Sequence, residues 1–210
     1  MEDRLRVSWQ SAIESTRPGS PAELVFEEVV GHYREPHRRY HTVVHLELVI
    51  GDAEELLAVL PVRDAAAVRL ALFFHDAVYD PRADDNEAQS ALLATRLLRD
   101  LEVPEARIAT VARLVEATAD HVTISGDLDL AVVNDADLAV LGGAPAAYDA
   151  YVTGVRAEYA HVDEAAWRTG RALVLRKFLE RPAIFASEPM REHEPRARAN
   201  LAAELSSLRG

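Results

Sequence analysis

Apolar residues recur at helical spacing from end to end of this chain, and the strict alternation that marks a half-buried strand does not. Ser20-Pro21-Ala22-Glu23 joins an N-cap serine to proline at the first helical position and glutamate at the third, which predicts a helix from about residue 21 to the break at Glu35-Pro36. A second begins near His41-Thr42 and carries Val44, Leu48, Val49, Leu56 and Leu57 up to Pro61, with Gly51 as a soft point. Asp64 caps a third, whose face Val68, Leu72 and Phe73 leads to His75-Asp76. The polar stretch 79–86, with its proline, reads as a loop. Glu87 opens the next helix, through Leu98, and Pro104 another through Val115. Four further patterns fill 127–141, 145–160, 164–180 and 194–208. The short pieces Val122-Thr123-Ile124 and Val132-Val133 find nothing to pair with. About nine helices with short connections predict an all-α fold, and without repeats or linkers one domain is expected over 1–210.

Composition narrows what such a fold can do. With 35 acidic and 23 basic residues the net charge is −12, and 49% of residues are apolar. General binding to a nucleic-acid backbone, which needs a basic stripe, is therefore not expected. A small phosphate ester remains open, because a metal and a few local arginines can offset the field in one cleft. There are no cysteines, so disulfides, thiolate metal sites and thiol nucleophiles are excluded. The start Met-Glu-Asp-Arg-Leu-Arg lacks the apolar core of a signal, and no run reaches the length of a membrane span; a cytoplasmic location without membrane contact is expected.

The most informative spot is His75-Asp76, at the end of the apolar run 67–74. A histidine and a carboxylate placed where the pattern demands burial need a partner, since an uncompensated buried charge costs several kcal/mol or more, on the order of tens in the limit. A helix end reaching water would satisfy them, and so would a metal ion. Around them stand His41 and His45, one helical turn apart on the same face, then His121, then Asp135 and Asp137. The two aspartates open the apolar turn Leu138-Ala139-Val140-Leu141, where one of them can serve as an N-cap.

The ordered set His45, His75-Asp76, Asp137 resembles the HD superfamily of metal-dependent phosphohydrolases, whose pattern is H…HD…D on an all-α core. It is carried by Tyr-His-Thr-Val-Val-His-Leu-Glu-Leu-Val (40–49), Phe-Phe-His-Asp-Ala-Val-Tyr-Asp (73–80) and Asn-Asp-Ala-Asp-Leu-Ala-Val-Leu-Gly (134–142). Asn86-Glu87, Ser90-Ala91, Arg156-x-Glu158-Tyr159, Gly170-Arg171 and Glu194-x-x-x-Arg198-x-Asn200-Leu201 extend the likeness, to a bacterial subgroup of predicted phosphohydrolases, over about residues 30–205.

The resemblance implies a metal held by His45, His75, Asp76 and Asp137, with the tandem leaving Asp135 open as the alternative closing ligand. His41 and His121 exceed the four-ligand pattern and are expected to complete a second metal site or to touch phosphate, as is Arg39. Mixed nitrogen and oxygen donors suit Mn²⁺, Fe²⁺, Co²⁺ or Zn²⁺ better than Mg²⁺, and Mn²⁺ or Fe²⁺ is favoured. The expected substrate is a nucleotide or another small phosphorylated molecule, and a homodimer is compatible with the pattern. Glu87 is a candidate general base, or equally a stabilising acid in a first helical turn; Asp76 is the other candidate to handle the proton. Glu47, Asp135 and Glu116 are candidates to orient the ligating imidazoles. Arg156 with Glu158, and Arg171, are read either as phosphate contacts or as buried structural pairs. Two rival readings stay beside the hydrolase: an HD-type di-iron oxygenase, and a metal-stabilised binding or regulatory module without turnover.

Overall fold

Ala65–Phe74 is apolar on nearly every side, and such a helix is stable only when it is surrounded. In the computed structural model, which describes residues 2–13 and 21–208, seven of its ten residues are buried and other helices pack around it. Ten α-helices are present among the described residues: α1 Glu2–Ala12, α2 Pro21–His32, α3 Val43–Leu57, α4 Ala65–Phe74, α5 Asn86–Asp100, α6 Glu105–Glu116, α7 Leu128–Leu138, α8 Pro145–Glu158, α9 Glu164–Leu179 and α10 Glu194–Ser207. No strand occurs among those residues. Val132-Val133 is buried inside α7, and Val122-Thr123-Ile124 is an exposed connection.

The Asp64 carboxylate accepts the Ala67 N–H at 3.0 Å, as an N-cap should, and receives Arg107 at 2.8 Å. Around α4 lie α1, α3, α5, α6 and α7, and the buried residues form one core reaching from Leu5 to Leu201. Gly51 does not soften α3, which runs unbroken. Its lack of a side chain instead admits Arg4, whose Nη1 lies 2.7 Å from where a Cβ would stand.

The tenth helix is the one the pattern did not announce. α1 has no capping motif and offers only Leu5, Trp9 and Ala12 at helical spacing over three turns. Its contribution is nonetheless large: the Trp9 ring meets Phe73 edge-on with centroids 5.1 Å apart and lies against Phe26 and Phe74, while its indole N–H donates to the Ala22 carbonyl at 3.0 Å.

The predicted 127–141 helix is divided. Asp127 caps α7 by accepting the Leu130 N–H at 3.1 Å, α7 ends at Leu138, and a 3-10 turn covers Ala139–Gly142. Asp135 and Asp137 therefore close a helix rather than open one, because the capping carboxylate stands eight residues earlier, at Asp127. Among the described residues no single helix is long and apolar enough to cross a membrane.

Candidate metal centre

Three helix segments meet at the end of α4: α3 packs on α4 and on α7, and α4 packs on α7. His45 comes from the first turn of α3, His75 caps the C-terminus of α4 with Asp76 directly after it, and Asp137 lies in the last turn of α7. One ligand atom from each of the four lies within 4.8 Å of all the others, an arrangement that could hold a metal ion. His45 Nε2 and His75 Nε2 are 3.2 Å apart. Asp76 Oδ2 lies 3.0 Å from His75 Nε2 and 3.4 Å from His45 Nε2; Asp137 Oδ1 lies 3.5 and 3.3 Å from the same atoms.

The orientation of His75 is set by the backbone. Its Nδ1–H donates to the Leu72 carbonyl at 2.7 Å, which turns Nε2 toward the other three groups. Asp76 is braced as well: its carbonyl accepts Arg38 at 2.8 Å, and its N–H donates to the Tyr33 hydroxyl at 3.3 Å, which itself donates to the Phe73 carbonyl at 3.1 Å. Buried Arg38 also bonds the Ala77 and His41 carbonyls, stapling the 35–41 loop to the end of α4.

The electrostatics follow from two imidazoles and two carboxylates converging on one point, where the neutral form of His75 presents Nε2 as an acceptor because its Nδ1–H is given to the Leu72 carbonyl. Burial works against charge on each, yet the neighbours prevail. Hydrogen bonds to Asp137 and Asp76 overcome burial and raise the His45 pKa, and the carboxylates raise that of His75 well above its ordinary value. Burial pushes Asp76 and Asp137 up, but the imidazoles of His75 and His41 hold Asp76, and those of His75 and His121 hold Asp137, well below the usual carboxylate range.

Asp76 and Asp137 face a cavity of about 720 Å³. Two further histidines stand beside them. His121, whose φ of 47° is the left-handed conformation uncommon outside glycine, places Nε2 at 2.8 Å from Asp137 Oδ2. His41 Nε2 lies 3.9 Å from Asp76 Oδ2, and its Nδ1–H donates to Glu158 Oε2 at 2.8 Å.

Glu158 is the site residue that sequence reasoning misplaced. It does not pair with Arg156, which binds the carbonyls of Tyr159 and Val162, approaches Glu164 and covers one face of Trp167. Glu158 Oε1 instead accepts the backbone N–H groups of Arg39, Tyr40 and His41 at 2.7, 2.8 and 3.0 Å, and Oε2 takes the Tyr79 hydroxyl at 3.0 Å as well as His41. Burial would raise its pKa; the hydrogen bond and charge of His41 and the backbone donors lower it to about 2.

Two expectations are corrected. Asp135 does not join the cluster: its two oxygens accept the N–H groups of Ala186 and Ser187, each at 2.7 Å, because residues two apart on a helix point to different sides. Arg39 is exposed, and its guanidinium is folded onto the Pro36 and Arg38 carbonyls rather than turned into the cavity. Glu87 stands in the first turn of α5 and lines the cavity wall, a position that suits either of its two readings. Arg171 forms the buried pair that was one of its two readings, with Glu204 at 2.7 and 3.0 Å. Comparison of the chain with protein-family models, with curated proteins and with solved structures found no match.

Proposed function

We propose that this protein is a metal-dependent phosphohydrolase of the HD type, acting on a nucleotide or another small phosphate ester. The observation that carries the reading is the convergence of His45, His75, Asp76 and Asp137 from three helix segments at the wall of a cavity large enough for such a substrate. The donor set fits a divalent ion: all nitrogen and oxygen, two carboxylates to balance its charge, and a His75 Nε2 presented by the Leu72 carbonyl. Mn²⁺ or Fe²⁺ is the favoured occupant. Such an ion supplies a water of lowered pKa and polarises a phosphoryl oxygen.

The residues around it divide the remaining work. Water oxygen bonds to phosphorus as the ester P–O bond breaks, so one water proton must reach the leaving oxygen to give an alcohol and phosphate. His41, its ring fixed by Glu158, faces the cavity with Nε2 and is placed to carry that proton. His121 steadies Asp137.

The imidazoles of His41 and His121 beside the two carboxylates also supply what a second ion would need, which keeps a di-iron oxygenase as the second reading. One set of measurements separates the readings: metal content after Mn²⁺ or Fe²⁺ loading, phosphate release over nucleotides and sugar phosphates, and oxygen uptake, for the parent, His75→Ala and Asp76→Ala. One ion per chain with phosphate release that both variants abolish is the expected result. Two irons with oxygen consumption establishes the oxygenase, and tight metal with neither reaction establishes a non-catalytic module. Variants that keep both metal and activity overturn the site.

A further inference from the structure

The wall of the cavity has an order that its contacts reveal. On one side of the cluster, Asp137 holds His121, and the carbonyls of His121 and Asp120 are held by Arg181, at 2.9 and 2.5 Å. Lys177 stands there too, paired with the Asp120 carboxylate. On the other side, Asp76 faces His41, which is bound to Glu158, then Tyr79, and beyond it Tyr159, whose ring lies 5.6 Å from that of Trp167. All of these cavity-lining groups except Glu158 face one space, and Glu87 stands near Tyr159 at the same end. The cavity is therefore polar lengthwise: two cations against one carboxylate at one end, aromatic rings with a carboxylate at the other, and the His/Asp cluster between them.

α9 forms the wall that spans the two ends. Ala166, Trp167, Gly170, Val174, Lys177 and Phe178 recur at three- and four-residue spacing along its cavity face. Trp167 and Lys177 are about 15 Å apart along the helix, at its rise per residue. At Gly170 a Cβ would meet nothing within 4 Å, so the middle of the wall is open. The cations are also available for exchange. Lys177 and Asp120 are both exposed, and such pairs are weakly held; Arg181 uses main-chain carbonyls, which a phosphate can replace with a charge-assisted bond.

Resting on the phosphohydrolase reading, we propose that the α9 face is the specificity-determining wall of the site, selecting an ester with a planar ring for the Tyr159–Trp167 end and a second anionic group for the Lys177–Arg181 end. A ring with exocyclic amino donors suits Glu87, and a second phosphate suits the cations.

The test uses the Mn²⁺-loaded full chain with three probes: adenosine diphosphate, adenosine monophosphate and glycerol 3-phosphate. Binding is read by calorimetry and by tryptophan fluorescence, and turnover by release of phosphate from the monoesters and of adenosine with pyrophosphate from the diphosphate. The expected order of affinity is diphosphate, monophosphate, glycerol phosphate. Arg181→Ala should reduce the diphosphate-to-monophosphate preference about tenfold, and Trp167→Leu the monophosphate-to-glycerol phosphate preference about tenfold, with loss of the fluorescence response. Arg99→Ala, in an exposed pair away from the cavity, should leave both ratios as they are. Binding that follows this pattern without release of phosphate, pyrophosphate or adenosine from any probe supports the wall and refutes the hydrolase. Turnover whose preferences neither variant changes refutes the wall and leaves the hydrolase standing. Failure of all three probes to bind overturns the proposal.

Discussion

Two of the polar clusters buried among the described residues are built on opposite principles. In one, Arg171 gives Nε and Nη2 to the two oxygens of Glu204, its Nη1 bonds the Tyr151 hydroxyl, and the Tyr148 hydroxyl donates to Glu204 at 2.5 Å. One cation meets one carboxylate, and the remaining valences are taken by phenols. In the other, two imidazoles with Nε2 turned inward meet two carboxylates. The first cluster pairs one cation with one carboxylate; the second gathers two carboxylates and two imidazoles so that one ligand atom of each could bind a single metal ion. Burial of polar groups alone thus does not mark a candidate metal site, whereas the convergence of several ligand atoms on one point does.

The largest effect should come from breaking the first cluster. Arg171→Met leaves Glu204 buried without its cation and should cost about 3–5 kcal/mol, while Arg171→Met combined with Glu204→Leu should recover most of that loss. Urea denaturation checks it, and equal losses in single and double variants would show that the pair is not the closed unit described here.

A somewhat smaller effect should come from the second cluster. Because folding raises the pKa of His45 and His75, the stability they contribute is present below their ordinary value of 6.5 and is lost as pH rises through the raised folded values. The depressed Asp76 and Asp137 act oppositely, with stability present above their ordinary range and lost as pH falls through their folded values. A metal replaces the protons, so the gap in Tm between Mn²⁺-loaded and chelated protein should widen from about pH 6 to about pH 8, reaching about 2.7 kcal/mol of stabilisation at a hundredfold excess over Kd. A gap that narrows over that interval would mean that protons and metal do not compete for these groups.

The smallest effect distinguishes the two aspartates of α7. Asp135→Asn puts an amide donor against a backbone N–H of 186 or 187 and should cost about 1–3 kcal/mol, with metal affinity falling by no more than about tenfold. Asp137→Asn should lower that affinity by more than about a hundredfold. Similar metal affinities in the two variants, by calorimetry, would erase the distinction.

Much of this was legible in the chain, and the rest was hidden for specific reasons. Nine of the ten helices follow from periodicity and from caps such as Asp64, which are local signals. α1 escaped because three apolar positions without a cap state a helix only once Phe73 and Phe74 exist to receive Trp9. His75-Asp76 stood out because charge interrupts an apolar run. The choice between Asp135 and Asp137 did not, since nearly every residue of α7 is buried and the helix has no polar face to reveal which way it points. Glu158 was beyond reach: its partners Arg39, Tyr40 and His41 lie 117–119 positions away, and a carboxylate that accepts backbone N–H groups leaves no residue-type signature.

The clamp of Asp135 on residues 186 and 187 bears on the order in which the protein can be assembled. His45, His75 and Asp76 can approach one another as soon as α3 and α4 have been made. The end of α7 is held by a segment some 50 residues further on, which Glu194 in turn secures through the N–H groups of Ile184 and Phe185. Closing such distant contacts is entropically costly and comes late in folding. During synthesis the nascent chain would thus expose a half-built His/Asp set, able to meet a metal but not to fix its geometry, until the last quarter of the sequence has left the ribosome.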